Sequence, residues 1–180
     1  MLAVIEGPDG SGKTTLIETL RRELGLYFWV MRPSRPPSEL YEIMEVLTWV
    51  SRRPWVQAIV MDRHPGISEP IYGPLLRNVN LLEKMPPSLV LDDIDFIIYC
   101  RPPLDTILEN VGRSRAVQMA GVVDHTPELV AAYDAKIADT VCLDVPVYVY
   151  DYTHMVLSDF FPLFHQATYG ASNGINRLPG

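Results

Sequence analysis

Eight residues near the N-terminus, Gly7 to Thr14, read GPDGSGKT and fit the spacing G-x-x-x-x-G-K-[ST]. Glycines at 7, 10 and 12 let the backbone turn so that successive N–H groups converge on an anion. A helix starting at Lys13 would add the positive end of its dipole. In such a loop Lys13 reaches the β and γ phosphates of a nucleotide and the Thr14 hydroxyl ligates Mg2+. Gly7, Pro8, Asp9, Gly10, Ser11, Gly12, Lys13 and Thr14 are therefore the expected ATP-binding segment, with Lys13 also catalytic. A Gly-rich turn can match this pattern by chance. Here an apolar strand stands directly before it and a helix directly after, which is the context the motif requires.

A second group follows the apolar run Val56 to Met61: Asp62, Arg63 and His64, then Ser68, Glu69 and Tyr72. In an open parallel sheet, residues just past the C-terminal strand ends face the ligand crevice. A carboxylate at Asp62 can hold Mg2+ through water or accept a proton from an attacking hydroxyl. Arg63 can hold a phosphate or stabilise transition-state charge, and Tyr72 is expected on the substrate side. The plainer alternatives are a turn cap for Asp62 and a solvated surface charge for Arg63. Further arginines fall at the same edge: Arg32 and Arg35 after the second predicted strand, Arg101 after the fourth, Arg113 and Arg115 at the end of the following helix. As a set they read as a phosphate-facing rim.

The remaining polar groups carry less. His64, His125, His154 and His165 share no metal-ligand spacing and are expected at the surface or core edge, with His64 alone bordering the site. Trp29, Trp49 and Trp55 read as core or core-rim aromatics. Asp92, Asp93 and Asp95 precede the fourth strand, at the wrong end of the sheet for metal binding. Cys100 and Cys142 lack any CxxC spacing and read as buried apolar residues in a reducing compartment.

The elements that must position these groups are legible as alternating strands and helices. Leu2 to Ile5 is a strand, and Lys13 to Leu24 is a helix with Leu16, Leu20 and Leu24 on one face. Leu26 to Met31 is a second strand; Ser38 is placed to cap a helix bearing Leu40, Ile43, Met44, Leu47 and Val50. The stretch Pro65 to Pro87, broken by prolines and glycines, reads as loop with short helical pieces. Phe96 to Cys100 is a strand, Pro103 to about Val111 a helix, and Thr126 with Pro127 an N-cap and N1 proline for a helix to about Val141. Val147 to Tyr150 is the last strand, with a helix from about Thr153. Short, continuously apolar strands alternating with helices predict a three-layer α/β domain: a parallel sheet flanked by helices, of the P-loop NTPase class. The expected organisation is one domain over residues 1–170 and a mobile polar tail over 171–180.

The 180 residues carry a net charge of −7, which excludes a protein that coats nucleic acid through a broad basic surface. It leaves room for a local anion site, and 12 of the 15 basic residues are arginine, whose planar fork suits phosphate. No apolar run reaches bilayer-spanning length and no basic leader precedes the first strand, so a soluble cytoplasmic protein without membrane partners is expected.

The opening VIEGPDGSGKTTLIETL resembles the strand, P-loop and first helix of the thymidylate kinase family almost residue for residue. The segment MDRH with Ser68 is similar to the family's Asp-Arg-aromatic segment, and the strand ending in Arg101, Pro102 and Pro103 to the one leading into its lid helix. The resemblance implies ATP and Mg2+ as cofactors, contact of Asp9 with the acceptor sugar, and Arg63 on the acceptor phosphate. It also implies Arg113 and Arg115 as lid arginines on ATP; the arginine rim puts Arg32, Arg35 and Arg101 on the substrate, and a homodimer is expected. Two segments depart from the family: MRPSRPP replaces its Arg-Glu-Pro-Gly acceptor clamp, and PGISEPIYGPLLRN with QMAGV looks more like a phage branch of thymidylate-kinase-like proteins. That branch includes kinases acting on the 5-hydroxymethyl group of 5-hydroxymethyluracil in phage DNA. The expectation is accordingly an ATP-dependent kinase acting on that base in the host cytoplasm. A kinase of free deoxynucleoside monophosphates such as dTMP stands as one alternative and a P-loop ATPase as another.

Overall fold

The computed structural model describes residues 1–24, 28–32, 37–52, 58–86, 91, 93–114, 120–141 and 144–164. Five strands are described: β1 (Leu2–Glu6), β2 (Phe28–Met31), β3 (Ala58–Asp62), β4 (Phe96–Cys100) and β5 (Val147–Tyr150). They form one parallel sheet in the order β2-β3-β1-β4-β5. The helices between them are α1 (Lys13–Leu24), α2 (Leu40–Ser51), α3 (Pro65–Tyr72), α4 (Leu104–Arg113) and α5 (Thr126–Val141). This is the expected three-layer α/β arrangement.

The period-2 alternation of β1 divides the core. Leu2 and Val4 join Ile59, Met61, Ile97 and Tyr99 on one face, covered by Ile67 and Ile71 of α3, Ile107 and Val111 of α4, and Leu129, Val130 and Tyr133 of α5. Ala3 and Ile5 face the other way with Val60 and Ile98, covered by Leu16, Ile17 and Leu20 of α1 and by Phe160 and Phe164. The chain leaves β1 through α1 toward β2 on one face of the sheet and leaves the adjacent β3 through α3 toward β4 on the other, and the crevice at that divergence opens above the C-terminal ends of β1 and β3.

Several local expectations need correction. Ser38 does not cap α2; Glu39 occupies that position without a side-chain bond, and the Glu42 carboxylate instead accepts the Ser38 backbone N–H at 2.6 Å. The helix starts one residue later than the Ser38 signal suggests. Thr126 is already inside α5, its hydroxyl donating back to the Val122 carbonyl at 2.8 Å, because the turn before it is closed by the His125 N–H on Gly121 O at 3.1 Å. The expected helix from Thr153 is a turn in which the Asp151 carboxylate accepts the Thr153 N–H and hydroxyl, with a 3-10 turn only at Leu157–Phe160. Trp29 and Trp49 are 61% and 47% exposed, since β2 is the sheet edge and Trp49 is on the outer face of α2. Cys100 is buried as expected, while Trp55, Cys142 and His165 lie outside the described residues.

Candidate phosphoryl-transfer site

The P-loop turns between β1 and α1 as the glycine spacing predicts. Gly12 sits at φ +88 with its missing Cβ 2.8 Å from the Tyr152 ring, and Gly10 at φ +76 against Val111 and the Ile107 carbonyl. Both positions need a glycine for conformation and for space. The Lys13 ammonium folds back into the loop, donating to Gly7 O at 2.8 Å and Pro8 O at 2.7 Å. Burial, reinforced by the nearby Arg63 charge, lowers its pKa to about 8. The Ser11 hydroxyl is buried with no hydrogen-bond partner among the described residues. A loop turned by glycines whose places a Cβ would fill, leading into the N-terminus of α1 with a lysine beside it, fits the phosphates of a nucleotide.

Across the loop stands the second group. Asp62 closes β3, and its Oδ2 accepts the Arg32 Nε–H at 2.7 Å. Arg63 follows in a left-handed backbone conformation, φ +71. Its guanidinium is 2.9 Å from Asp9 Oδ1, donates to the Tyr72 hydroxyl at 2.9 Å and lies 4.7 Å from the centre of the Tyr72 ring. The Tyr72 hydroxyl in turn donates to Asp9 Oδ2 at 2.7 Å. Burial pushes the Asp9 carboxyl up, but the Arg63 and Lys13 charges with these two hydrogen bonds outweigh it and hold the pKa below the usual range. Asp9 thus links the phosphate loop to the opposite wall.

These groups line one cleft of about 1200 Å3. Its floor is the P-loop, with Asp9, Gly10, Gly12, Lys13 and Thr14. Arg32, Asp62, Arg63 and Tyr72 line it together with Glu42, Glu45, Glu69 and Arg77, and Asn110, Ser114 and Tyr152 line it from α4 and from the segments after α4 and β5. A cleft of this size over the phosphate loop can seat a donor and an acceptor together.

The structure does not bring together every predicted residue. Arg101 pairs with Asp134 of α5 at 2.9 Å and Arg113 pairs with Glu109 one turn earlier in α4; neither lines the cleft. Each has a carboxylate within reach, on its own helix for Arg113 and on α5 for Arg101. Arg35 and Arg115 lie outside the described residues. His64, expected at the surface or core edge, is buried; its Nδ1 accepts the Gly66 N–H at 3.1 Å as the cap of α3, and burial lowers its pKa to about 3. Pro65 to Tyr72 is accordingly a helix of eight residues, continued by a wide turn over Gly73–Arg77, in keeping with the short helical pieces expected there. His64 followed by Pro65 was the available signal, an N-cap with an N1 proline.

Three further residues carry no motif. Arg77 pairs with the buried Glu69, whose Oε1 accepts the Leu81 N–H at 3.2 Å. Asn110 donates to Gly10 O at 2.9 Å and to the Tyr152 hydroxyl at 2.8 Å, bracing the loop from α4. Among the described residues no group of three His, Cys, Asp or Glu side chains could hold a metal ion, and no helix is long and apolar enough to cross a membrane.

No family model matches the chain, and a sequence search of curated proteins gives no match. Solved structures do match. The YorR protein of Bacillus subtilis, in complex with phosphorylated GDP, superposes with a TM-score of 0.67 at 16% identity, over 92% of this chain and 96% of that one. Deoxyadenosine kinase of M. mycoides with bound dCTP gives 0.57 at 17% identity, over 97% and 100%. The same kinase with bound dATP gives 0.55 at 19% identity, over 92% and 98%. At these identities the likeness establishes the fold: this chain has the three-layer α/β fold of those proteins across nearly its whole length.

Proposed function

We propose that the protein is an ATP-dependent kinase that phosphorylates a hydroxyl group of a nucleoside or a related small nucleotide. One observation carries the reading: the P-loop with Lys13 faces, across a single cleft, a carboxylate and an arginine held by the strand next to β1. ATP fits the cradle described above, and the Thr14 hydroxyl in the cleft would hold its Mg2+, which neutralises charge between the phosphates. Lys13 would leave the loop carbonyls for the β and γ phosphates. Asp62, oriented by Arg32, would accept the proton of the attacking hydroxyl. Arg63, oriented by Asp9 and Tyr72, would stabilise the charge that develops on the transferred group.

The charges lining the cleft beside Asp62 and Arg63 favour an uncharged acceptor. Arg32, Arg63 and Arg77 are each bound to a carboxylate, and against these three arginines stand Asp9, Asp62, Glu69, Glu42 and Glu45. An acceptor phosphate would have to displace an ion pair and approach a net negative wall. The deoxyadenosine kinase likeness is in keeping with a nucleoside-type acceptor. A DNA-borne 5-hydroxymethyl group draws less support, because Arg101 and Arg113 are engaged away from the cleft. The test compares each deoxynucleoside with its own 5′-monophosphate by ADP release from Mg·ATP. The nucleoside is expected to give the higher kcat/KM by at least about tenfold; monophosphates alone being turned over would reverse the acceptor assignment.

A further inference from the structure

Glu6 is the only charged residue of β1, and it is fully buried. Its Oε1 accepts the His64 backbone N–H at 2.5 Å and its Oε2 the Gly7 N–H at 3.3 Å. Gly7 opens the phosphate loop, and His64 follows the left-handed Arg63, whose own N–H is held by Ile5 O at 3.0 Å. We propose that Glu6 is a positioning residue of the transfer site: its carboxylate clamps the P-loop entry to the Asp62–Arg63–His64 turn and so fixes the spacing between the phosphate cradle and the acceptor groups. Its effect on rate rests on the kinase reading above; its effect on stability does not.

The group is a poor choice for folding alone. Burial drives its pKa up to about 7, against the pull of the His64 N–H and of the Arg63 and Lys13 charges. The Tyr133 hydroxyl of α5 lies beside it without closing a well-formed hydrogen bond, and Tyr72 and Cys100 complete the titratable groups around it. Since the folded pKa is raised above the ordinary 4.5, the unfolded chain ionises first. Stability attributable to Glu6 is full below pH 4.5 and is lost as pH rises through about 7. A neutral residue of the same shape would spare the fold that loss. What the carboxylate supplies in return is two acceptors reaching both halves of the site, where glutamine offers one acceptor and turns a donor toward an N–H.

The experiment uses Glu6→Gln and Glu6→Asp in the full chain. Between pH 5 and pH 8.5 the unfolding equilibrium of Glu6→Gln should shift in the variant's favour, relative to the parent, by roughly a hundredfold. Its kcat with Mg·ATP and a deoxynucleoside should fall tenfold or more while the KM for ATP stays nearly constant, and the rise of kcat around pH 7 expected of the parent should vanish. Glu6→Asp keeps the charge but shortens the reach, and should lose kcat without the stability gain. A stability difference that is flat with pH, or a Glu6→Gln variant with parental kcat, overturns the inference. A parent that transfers no phosphoryl group sinks the kinase reading instead, and the stability series then decides Glu6 alone.

Discussion

Lys13 and Arg63 show how much of this site depends on charge held where water is scarce. Lys13 is buried and satisfied only by loop carbonyls, so its ammonium costs desolvation and adds little to folding. Lys13→Ala should therefore keep the circular dichroism spectrum and the melting temperature of the parent while kcat falls by roughly 10²–10³. A folded variant with near-normal turnover would remove the P-loop from the mechanism. Arg63 combines an essential charge with an unfavourable backbone, φ +71. Arg63→Gly should be about 1 kcal/mol more stable than Arg63→Ala in urea unfolding, because glycine adopts that conformation freely. Both should lose kcat/KM by roughly tenfold to a hundredfold through the missing charge-assisted contacts. Equal stability of the two variants would mean that the turn relaxes when the side chain is removed.

Among the elements, the short helix α3 sets where Arg63 and Tyr72 stand, and its cap is the neutral ring of His64. Because the folded pKa of His64 is depressed from 6.5 to about 3, the unfolded chain takes up a proton first as pH falls. The cap's contribution is whole above pH 6.5 and is lost toward pH 3, on the order of 4 kcal/mol at the limit. His64→Asn retains a capping acceptor. Relative to the parent it should show a fixed cost at pH 7 and a recovery of that cost by pH 4.5, measured by urea midpoints. The comparison must be with the parent, since Glu6 works in the opposite sense over the same range. An unchanging difference would contradict the buried, neutral ring. The strands and α1 were readable because continuous apolar runs and a 3.6 period leave few alternatives. For α3, Gly66, Pro70 and Gly73 read as breakers, and only the tertiary burial of Ile67 and Ile71 outweighs them. The exposure of Trp29 depends on β2 being the edge strand, which no local pattern announces.

Taken as one molecule, the chain brings the loop after β1 and the turn after β3 together where the connection from β1 toward β2 and that from β3 toward β4 diverge. The loop, Asp62 and Arg63 were readable because each follows a strand directly in sequence. Asn110 and Tyr152 were not, since only the packing of α4 and of the segment after β5 carries them to the loop. Of the proposed arginine rim, Arg32 lines the cleft, while Arg101 and Arg113 are paired away from it. Glu109 stands four residues before Arg113, a pairing present in the sequence itself, whereas Asp134 is 33 residues from Arg101 and meets it only in the fold. The net charge of −7 and the paired arginines of the cleft point to an acceptor without phosphates. For such an acceptor kcat/KM should vary little with salt, whereas a DNA acceptor would give a log–log slope of about −0.9 per phosphate contacted. The most direct measurement is the fate of the label from γ-labelled ATP offered with Mg2+ to deoxyadenosine, deoxycytidine, thymidine, dTMP, dGMP and DNA carrying 5-hydroxymethyluracil in separate reactions. The account predicts label on the 5′-hydroxyl of a free nucleoside, absent with Lys13→Ala; label on none of the acceptors, on the monophosphates alone or on the DNA alone would contradict it.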